Sequence, residues 1–161
     1  MSSQPVLGAS QAVDTPYPDS PWVVLKFGGR SVSTAENWAI IAQLIRERLA
    51  EGVRPVVVHS ALVGVSNALI ALLDAAVAGG DTDEKLATIR AQHDTLAREL
   101  GVDPKMFDER FAALAQVVAG AKLIGEVSPR VHARVLSIGE LAATELGAAY
   151  LRSAGLDVAW L

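Results

Sequence analysis

The chain has 161 residues, of which 51% are hydrophobic and 20% are charged, a composition typical of one packed globular domain rather than of a disordered segment. Its formal charge of −4 gives no basic surface, so we expect no nucleic-acid partner. The absence of cysteine from the sequence excludes disulfides, thiolate zinc sites and a cysteine nucleophile, and it fits a reducing cytoplasm.

The first 21 residues have a composition of their own. They contain four of the seven prolines and neither lysine nor arginine. This pattern is typical of neither a signal peptide nor a transit peptide, and we predict a flexible leader over residues 1–21. No apolar run in the chain approaches the roughly 18 residues that a membrane-spanning helix needs, so we expect no membrane partner.

A strand, a helix and a second strand are predicted in the next part of the chain. Residues 22–26 are aromatic and β-branched and stand before a glycine pair, which indicates a short buried strand. The spacing of Ser33 and Glu36 is that of a capping box, apolar residues follow at helical spacing, and Gly52 is the stop signal. The run "PVVVH" at residues 55–59 is apolar without alternation, which suits a sheet covered on both faces. We therefore predict a parallel βαβ unit.

Helices are predicted over most of the remaining sequence. One helix ends at Gly79-Gly80, and apolar residues at helical spacing mark two more, between residues 86 and 100 and between residues 107 and 121. Ser128-Pro129 opens a long helix that Gly155 stops, and the final segment "LDVAWL" has the pattern of a third strand. The predicted class is α/β, with a mainly parallel sheet covered by helices.

The first candidate site follows the first predicted strand, because ligands of open α/β sheets collect at the carboxyl ends of the strands. Gly28 and Gly29 would let backbone N–H groups approach an anion closely, and Lys26 supplies a positive charge. With Arg30 and Ser31 they form a candidate phosphate loop, although the spacing is that of neither a Walker A loop nor a Gly-x-Gly-x-x-Gly fingerprint. The alternative is that the glycines only make the turn while Lys26 extends into solvent.

The second candidate site follows the second predicted strand. Ser60, Gly64, Ser66 and Asn67 bring hydroxyls, an amide and backbone N–H groups to the same edge of the sheet. The alternative is a helix start that Ser60 or Ser66 caps.

The third candidate lies inside the last predicted helix. Gly139 costs about 1 kcal/mol relative to alanine at a helix interior, so its small size should be required there. Glu140 belongs to a small and polar face that would let a ligand or another backbone come close. The alternative is a solvent-facing glutamate.

No metal site is predicted from the residues. The three histidines, His59, His93 and His132, lie far apart without the spacing of metal ligands, and core or surface roles are expected for them. No Ser/His/Asp arrangement is present either.

Together the three candidate motifs resemble a known family. The residues are Lys26-Phe27-Gly28-Gly29-x-Ser31-Val32, Ser60-Ala61-x-x-Gly64-x-Ser66-Asn67, and Ser128-Pro129-Arg130 followed by Gly139-Glu140. Over residues 22–161 the chain resembles the N-terminal half of the catalytic domain of aspartate kinases, in the amino acid kinase superfamily. The resemblance implies an incomplete part of a three-layer sandwich. The segment "RPVVVHSAL" is most similar to the kinase part of the bacterial fusion of aspartate kinase with diaminopimelate decarboxylase.

The resemblance also implies roles for the phosphate-loop residues. Lys26 would neutralise the transferring γ-phosphoryl group, and the amides of Gly28 and Gly29 would stabilise its equatorial oxygens. Arg30 stands where the family typically has threonine, and it would either add a donor or fill the pocket.

A second set of roles concerns the amino acid. Ser60 and Ser66 would help to position L-aspartate, and Glu140 would pair with its α-ammonium group. Ser66 replaces the commoner threonine, and Val63 replaces a small residue.

The activity implied is transfer of the γ-phosphoryl group of ATP to the β-carboxylate of L-aspartate, the first step towards lysine, threonine and methionine. The parent enzyme would use ATP and Mg²⁺, act in the cytoplasm and form a homo-oligomer. The chain alone is expected to be inactive, since the second half of the catalytic domain carries most of the nucleotide site. The alternative is a degenerate, non-catalytic kinase-like or interaction domain.

Overall fold

The computed structural model describes residues 21–161, so the predicted leader lies outside the described residues except for Pro21. Within the described range the chain forms two parallel strands and five α-helices. In chain order these are β1 (Trp22–Phe27), α1 (Ala35–Ala50), β2 (Arg54–His59), α2 (Val65–Val77), α3 (Asp83–Glu99), α4 (Asp108–Ile124) and α5 (Pro129–Ser153). The predicted α/β class is confirmed, and helix dominates it.

The two strands form a parallel sheet with the βαβ connection predicted from the sequence. Lys26 pairs with Val58 and Phe27 pairs with His59, so both strands end at the same edge. Leu25, Phe27 and Val57 pack against the helical core. Among the described residues the opposite face stays open, since Val24 is 66% exposed and Val58 is 46% exposed.

The predicted third strand is wrong. Residues 156–161 form neither helix nor strand, and the described part of the chain contains a sheet of two strands. Side chains engage this segment instead of a strand partner, because Arg152 Nε donates to the carbonyl of Val158 at 2.9 Å and Trp160 Nε1 donates to Thr144 Oγ1 at 3.1 Å. An apolar pattern becomes a strand only when a neighbouring strand offers its backbone hydrogen bonds.

The helix boundaries follow the predicted signals with one shift. Thr34, not Ser33, is the N-cap of α1, and its side chain accepts a hydrogen bond from the backbone N–H of Asn37. Ser128 caps α5 as expected, with Pro129 in the first turn. The consequence of the shift is that the hydroxyl of Ser33 is available for another contact.

All five helices contribute to one core. Helix α2 packs against α3, α4 and α5. Trp38 of α1 is 1% exposed and lies against Gly147 of α5, where an added Cβ would overlap the indole ring. This contact brings α5 close to α1 and explains a small residue in the middle of a long helix.

Within residues 21–161, none of the helices combines the length and apolar character that crossing a bilayer requires.

Candidate functional site

Two loops leave the sheet side by side at the carboxyl ends of the strands. The phosphate loop, residues 28–33, follows β1, and the second loop, residues 60–64, follows β2. The backbone N–H of Ser60 donates to the carbonyl of Phe27 at 3.3 Å, which extends the strand pairing to the base of both loops. The structure therefore brings the first two predicted motifs together.

Side chains of α1 hold the phosphate loop in place. It turns through a short 3-10 helix at Gly29–Val32. The indole of Trp38 donates to the carbonyl of Val32 at 2.9 Å, and the side chain of Asn37 donates to the carbonyl of Arg30 at 3.1 Å. These bonds satisfy the carbonyls on the helix side of the loop and leave its outer side open.

The two glycines of the phosphate loop have different roles. A Cβ added at Gly28 would meet nothing within 4 Å, whereas a Cβ at Gly29 would lie 2.7 Å from the carbonyl oxygen of Ala61. Gly28 thus borders open space that an anion could enter. Gly29 permits the close approach of the two loops.

Two positively charged side chains are exposed at the phosphate loop. Lys26 and Arg30 are exposed, and within residues 21–161 neither charged group makes an ion pair or a side-chain hydrogen bond. A Cβ added at Gly28 would have no atom of Arg30 within 4 Å, so Arg30 does not fill that space. Both charges are available to an anion at the loop.

Ser31 offers a ligand its side chain rather than its backbone N–H group. Its N–H donates to the carbonyl of Gly28 at 3.0 Å inside the turn, so this amide is already used. In the described part of the chain its partly buried hydroxyl has no hydrogen-bond partner, and the hydroxyl remains the group that could bind a ligand.

His59 supports the base of the second loop. Its side chain is 9% exposed, its Nδ1 lies 3.0 Å from the carbonyl oxygen of Ser60, and its ring packs edge to face on Trp38 at 5.4 Å. Burial lowers the pKa of His59, and the bond to Ser60 opposes this in part. The neutral imidazole therefore donates to the carbonyl of Ser60, and of the core or surface roles expected for the histidines this one has a core role beside the second loop.

The serines of the second motif do not cap helix α2. Gly64 is its N-cap, with φ of 81°, and no side chain bonds to the first turn. Ser60 Oγ makes only a long contact of 3.3 Å to the carbonyl of Ala61, and the exposed Ser66 has no hydrogen-bond partner among residues 21–161. The alternative in which a serine caps this helix is wrong. Both hydroxyls remain available beside a helix N-terminus, which favours negative charge.

Glu140 lies near the second loop without a contact to it. A Cβ at Gly139 would meet Val65 Cγ1 at 2.9 Å and Ala61 Cβ at 3.3 Å, so this glycine is required by the packing of α5 on α2. The next residue, Glu140, is exposed, and its carboxylate makes no hydrogen bond or ion pair within the described range. Its backbone thus lies next to the contact between α5 and α2, and its carboxylate is free of contacts with the second loop in the described part of the chain.

Sequence reasoning missed the residues that support the loops. The helical spacing marks Trp38 as apolar and the capping box marks Ser33 as a cap, but neither pattern shows which carbonyl or amide the side chain reaches. The hydroxyl of Ser33 joins the two loops directly. Such contacts run between segments far apart in sequence, and a local pattern contains no signal for them.

The site is an open edge rather than an enclosed cavity. A depression of about 540 Å³ lies between α2 and α3, and another of about 250 Å³ lies beside Arg110 and Glu145, both away from the phosphate loop. Residues 21–161 contain no group of three or more histidine or acidic side chains that could hold a metal ion.

Comparison with known proteins shows which proteins the whole chain is similar to. A sequence profile of the amino acid kinase family matches residues 21–161. Aspartokinase 3, chloroplastic, of Arabidopsis thaliana is 38% identical over 136 residues, covering 82% of this chain and 24% of that protein. The aspartokinase of Chlamydia muridarum is 32% identical over 136 residues, covering 84% of this chain and 29% of that protein.

Solved structures of an aspartokinase also match the chain. E. coli aspartokinase III in complex with lysine and aspartate (T-state) matches with a TM-score of 0.71 and 29% identity, over 86% of this chain and 30% of that one. The same enzyme in complex with aspartate and ADP (R-state) matches with a TM-score of 0.71 and 27% identity, over the same shares of both chains. The present chain thus spans about a quarter to a third of the length of these relatives.

Proposed function

The chain belongs to the amino acid kinase family, and from that premise we propose that it forms the phosphate-binding and amino-acid-binding part of an aspartate kinase. Such an enzyme transfers the γ-phosphoryl group of ATP to the β-carboxylate of L-aspartate. The observation that carries the proposal is the meeting of two loops at one sheet edge, with a lysine at the end of β1 whose charge has no partner among residues 21–161. The names of the relatives, and the aspartate and ADP of the E. coli complex, support the choice of substrates.

The phosphate loop would receive the transferring group. Lys26 is an exposed point charge at the carboxyl end of β1, and the open space at Gly28 lets a phosphoryl oxygen approach the backbone. Arg30 leaves that space open and would add a second charge. Gly29 would act through the contact between the loops.

The second loop would hold the amino acid. Ser60 and Ser66 present hydroxyls beside the N-terminus of α2, where a carboxylate is favoured. Glu140 is exposed in α5 and would pair with the α-ammonium group. In this arrangement the acceptor carboxylate faces the phosphate loop.

The reaction needs little from the protein beyond position and charge. A carboxylate with a pKa near 4 is ionised at neutral pH, so no general base is required. Phosphoryl transfer is then promoted by in-line positioning and by stabilisation of the charge on the equatorial oxygens. Lys26 and the backbone N–H groups of the phosphate loop are the groups of this chain suited to that task.

The described residues offer no dedicated site for Mg²⁺. Residues 21–161 lack a cluster of acidic ligands. We therefore assign no step of the reaction to a metal held by these residues, and we propose that the ion used by the parent enzyme is bound by the complete domain together with ATP.

We further propose that residues 22–161 act as the N-terminal part of a longer kinase domain, after a leader at residues 1–21, and that they are inactive alone. The small share of each relative that the chain covers supports this. The parent enzyme would be a cytoplasmic homo-oligomer of lysine, threonine and methionine synthesis. Its fusion to a decarboxylase is proposed from the sequence of residues 54–62.

The proposal is tested by titrating the ¹⁵N-labelled chain with pyrophosphate and with L-aspartate. Pyrophosphate should shift the amide resonances of residues 28–31, and L-aspartate should shift those of residues 60–67. Lys26→Ala should weaken the pyrophosphate response at least tenfold with the fold retained. Lys105→Ala, which removes an exposed lysine of another turn, is the matched control. An unchanged response in Lys26→Ala would refute the proposed role.

Activity is tested by trapping β-aspartyl phosphate with hydroxylamine. The chain alone should give no product, and the chain extended by the following part of its gene product should give turnover that Lys26→Ala abolishes. A folded, extended protein that neither binds L-aspartate nor turns over would support the non-catalytic interaction domain instead.

A further inference from the structure

Ser33 links the two loops of the site through a single hydroxyl. Its Oγ donates to the carbonyl of Gly29 at 2.5 Å and accepts from the backbone N–H of Val63 at 2.9 Å. The first partner belongs to the phosphate loop and the second to the loop that follows β2. The hydroxyl uses both its donor and an acceptor site in these bonds.

We propose that Ser33 is a positioning residue that sets the distance between the phosphate and the amino acid in this site. The inference rests on the proposed function, since it takes the two loops as the donor side and the acceptor side. Ser33 touches neither substrate in this scheme. It acts through the backbone of Gly29 and Val63.

The packing of the loops alone does not fix their register. Gly29 allows the backbones to approach until they touch, since a Cβ added there would lie only 2.7 Å from the carbonyl oxygen of Ala61. Van der Waals contact of this kind is non-directional, and the backbone bond from Ser60 to Phe27 fixes only the base of the loops, so their outer parts could slide along each other. A hydroxyl bonded to one carbonyl and one N–H is directional and prevents the sliding.

The backbone carbonyl of Val63 is bound as well. Its carbonyl accepts a hydrogen bond from Gln92 Nε2 of α3 at 3.0 Å. Both polar groups of this residue are therefore bound, one from the phosphate loop and one from a helix. The exposed side chain of Val63 takes no part in either bond.

This arrangement predicts communication between the loops. When an anion binds at Gly28 and Gly29, any displacement of the Gly29 carbonyl is transmitted through Ser33 to the amide of Val63. In-line phosphoryl transfer depends on such relative placement, and an error of about 1 Å can reduce a rate about a hundredfold. Loss of the hydroxyl should therefore leave each loop able to bind its own ligand while uncoupling the two.

The experiment compares the wild-type chain with Ser33→Ala and Ser33→Thr. Ser153→Ala is the matched control, because it removes an exposed hydroxyl that bonds only within its own helix. Amide exchange and ¹⁵N spectra are recorded with and without pyrophosphate. In the wild type, pyrophosphate should shift the amide resonance of Val63 as well as those of residues 28–31.

In Ser33→Ala the direct shifts at residues 28–31 should remain, the shift at Val63 should disappear, and exchange of the Val63 amide should rise about three- to tenfold. Ser33→Thr should restore both properties, and Ser153→Ala should change neither. A Val63 shift that persists in Ser33→Ala overturns the proposal. If pyrophosphate shifts no resonance of residues 28–31 in the wild type, the proposed phosphate site is refuted. If it shifts those resonances in the wild type but not that of Val63, the phosphate site stands and the role of Ser33 is refuted.

Discussion

The glycine pair of the phosphate loop offers a sharp test, because two adjacent and chemically identical substitutions should have opposite consequences. Gly28→Ala adds a methyl group to open space, at a backbone with φ of −82° and ψ of 170° that alanine adopts readily. Gly29→Ala places the same methyl group 2.7 Å from the carbonyl oxygen of Ala61 and 3.2 Å from the backbone nitrogen of Val63. Both neighbours are backbone atoms that cannot rotate away.

The expected magnitudes follow from these contacts. Replacing glycine by alanine stabilises a protein by about 0.4–1 kcal/mol where the conformation permits it, because the unfolded chain loses freedom. Gly28→Ala should therefore leave stability unchanged or raise it slightly. At Gly29 an overpacking cost of about 1–3 kcal/mol opposes this gain. The net loss of roughly 1–2 kcal/mol should lower the melting temperature by roughly 3–8 °C.

Pyrophosphate binding should be impaired by the substitution at Gly28, which leaves stability unchanged. Gly28→Ala fills the space in which a phosphoryl oxygen would approach the loop, so pyrophosphate affinity should fall at least tenfold in a fully folded protein. Urea unfolding followed by circular dichroism measures the stabilities, and ¹⁵N titration with pyrophosphate measures binding. Equal destabilisation by the two substitutions, or normal pyrophosphate binding by Gly28→Ala, would refute the division of roles.

Three further predictions concern other parts of the structure. Gly147→Ala should cost about 3 kcal/mol or more in urea unfolding because the methyl group would overlap the buried ring of Trp38, and Trp38→Phe in the same chain should recover part of that loss. Burial lowers the pKa of His93, so stability should fall as pH drops below about 6.5, where the unfolded chain binds a proton that the folded chain excludes. The difference in the free energy of unfolding between pH 5 and pH 7 should be smaller for His93→Leu than for the wild type. An equal difference in both proteins would contradict this origin. Arg30→Thr should alter stability by less than about 0.5 kcal/mol, since its guanidinium group is unpaired within residues 21–161.

Most of the architecture could be predicted because its signals are local. The parallel βαβ unit and the stops at Gly52 and Gly155 follow from apolar periodicity and from glycines with φ of 82° at both stops. The predicted third strand failed because strand formation needs a partner that a local pattern does not reveal. The N-cap moved from Ser33 to Thr34 because adjacent hydroxyl residues are equivalent in a sequence pattern.

The sequence by itself determined which residues can supply the chemistry: a lysine and two glycines after one strand, hydroxyls after the next, and a glutamate in the last helix. It also carried the motif spacing by which the family is recognised. Only the tertiary structure decided what surrounds each of them. It separated Gly28, beside open space, from Gly29, against the backbone of Ala61, and it turned Ser33 from a helix cap into the bond between two loops. The physical reason is that secondary structure depends on neighbours along the chain, whereas a site depends on contacts between segments that folding alone brings together.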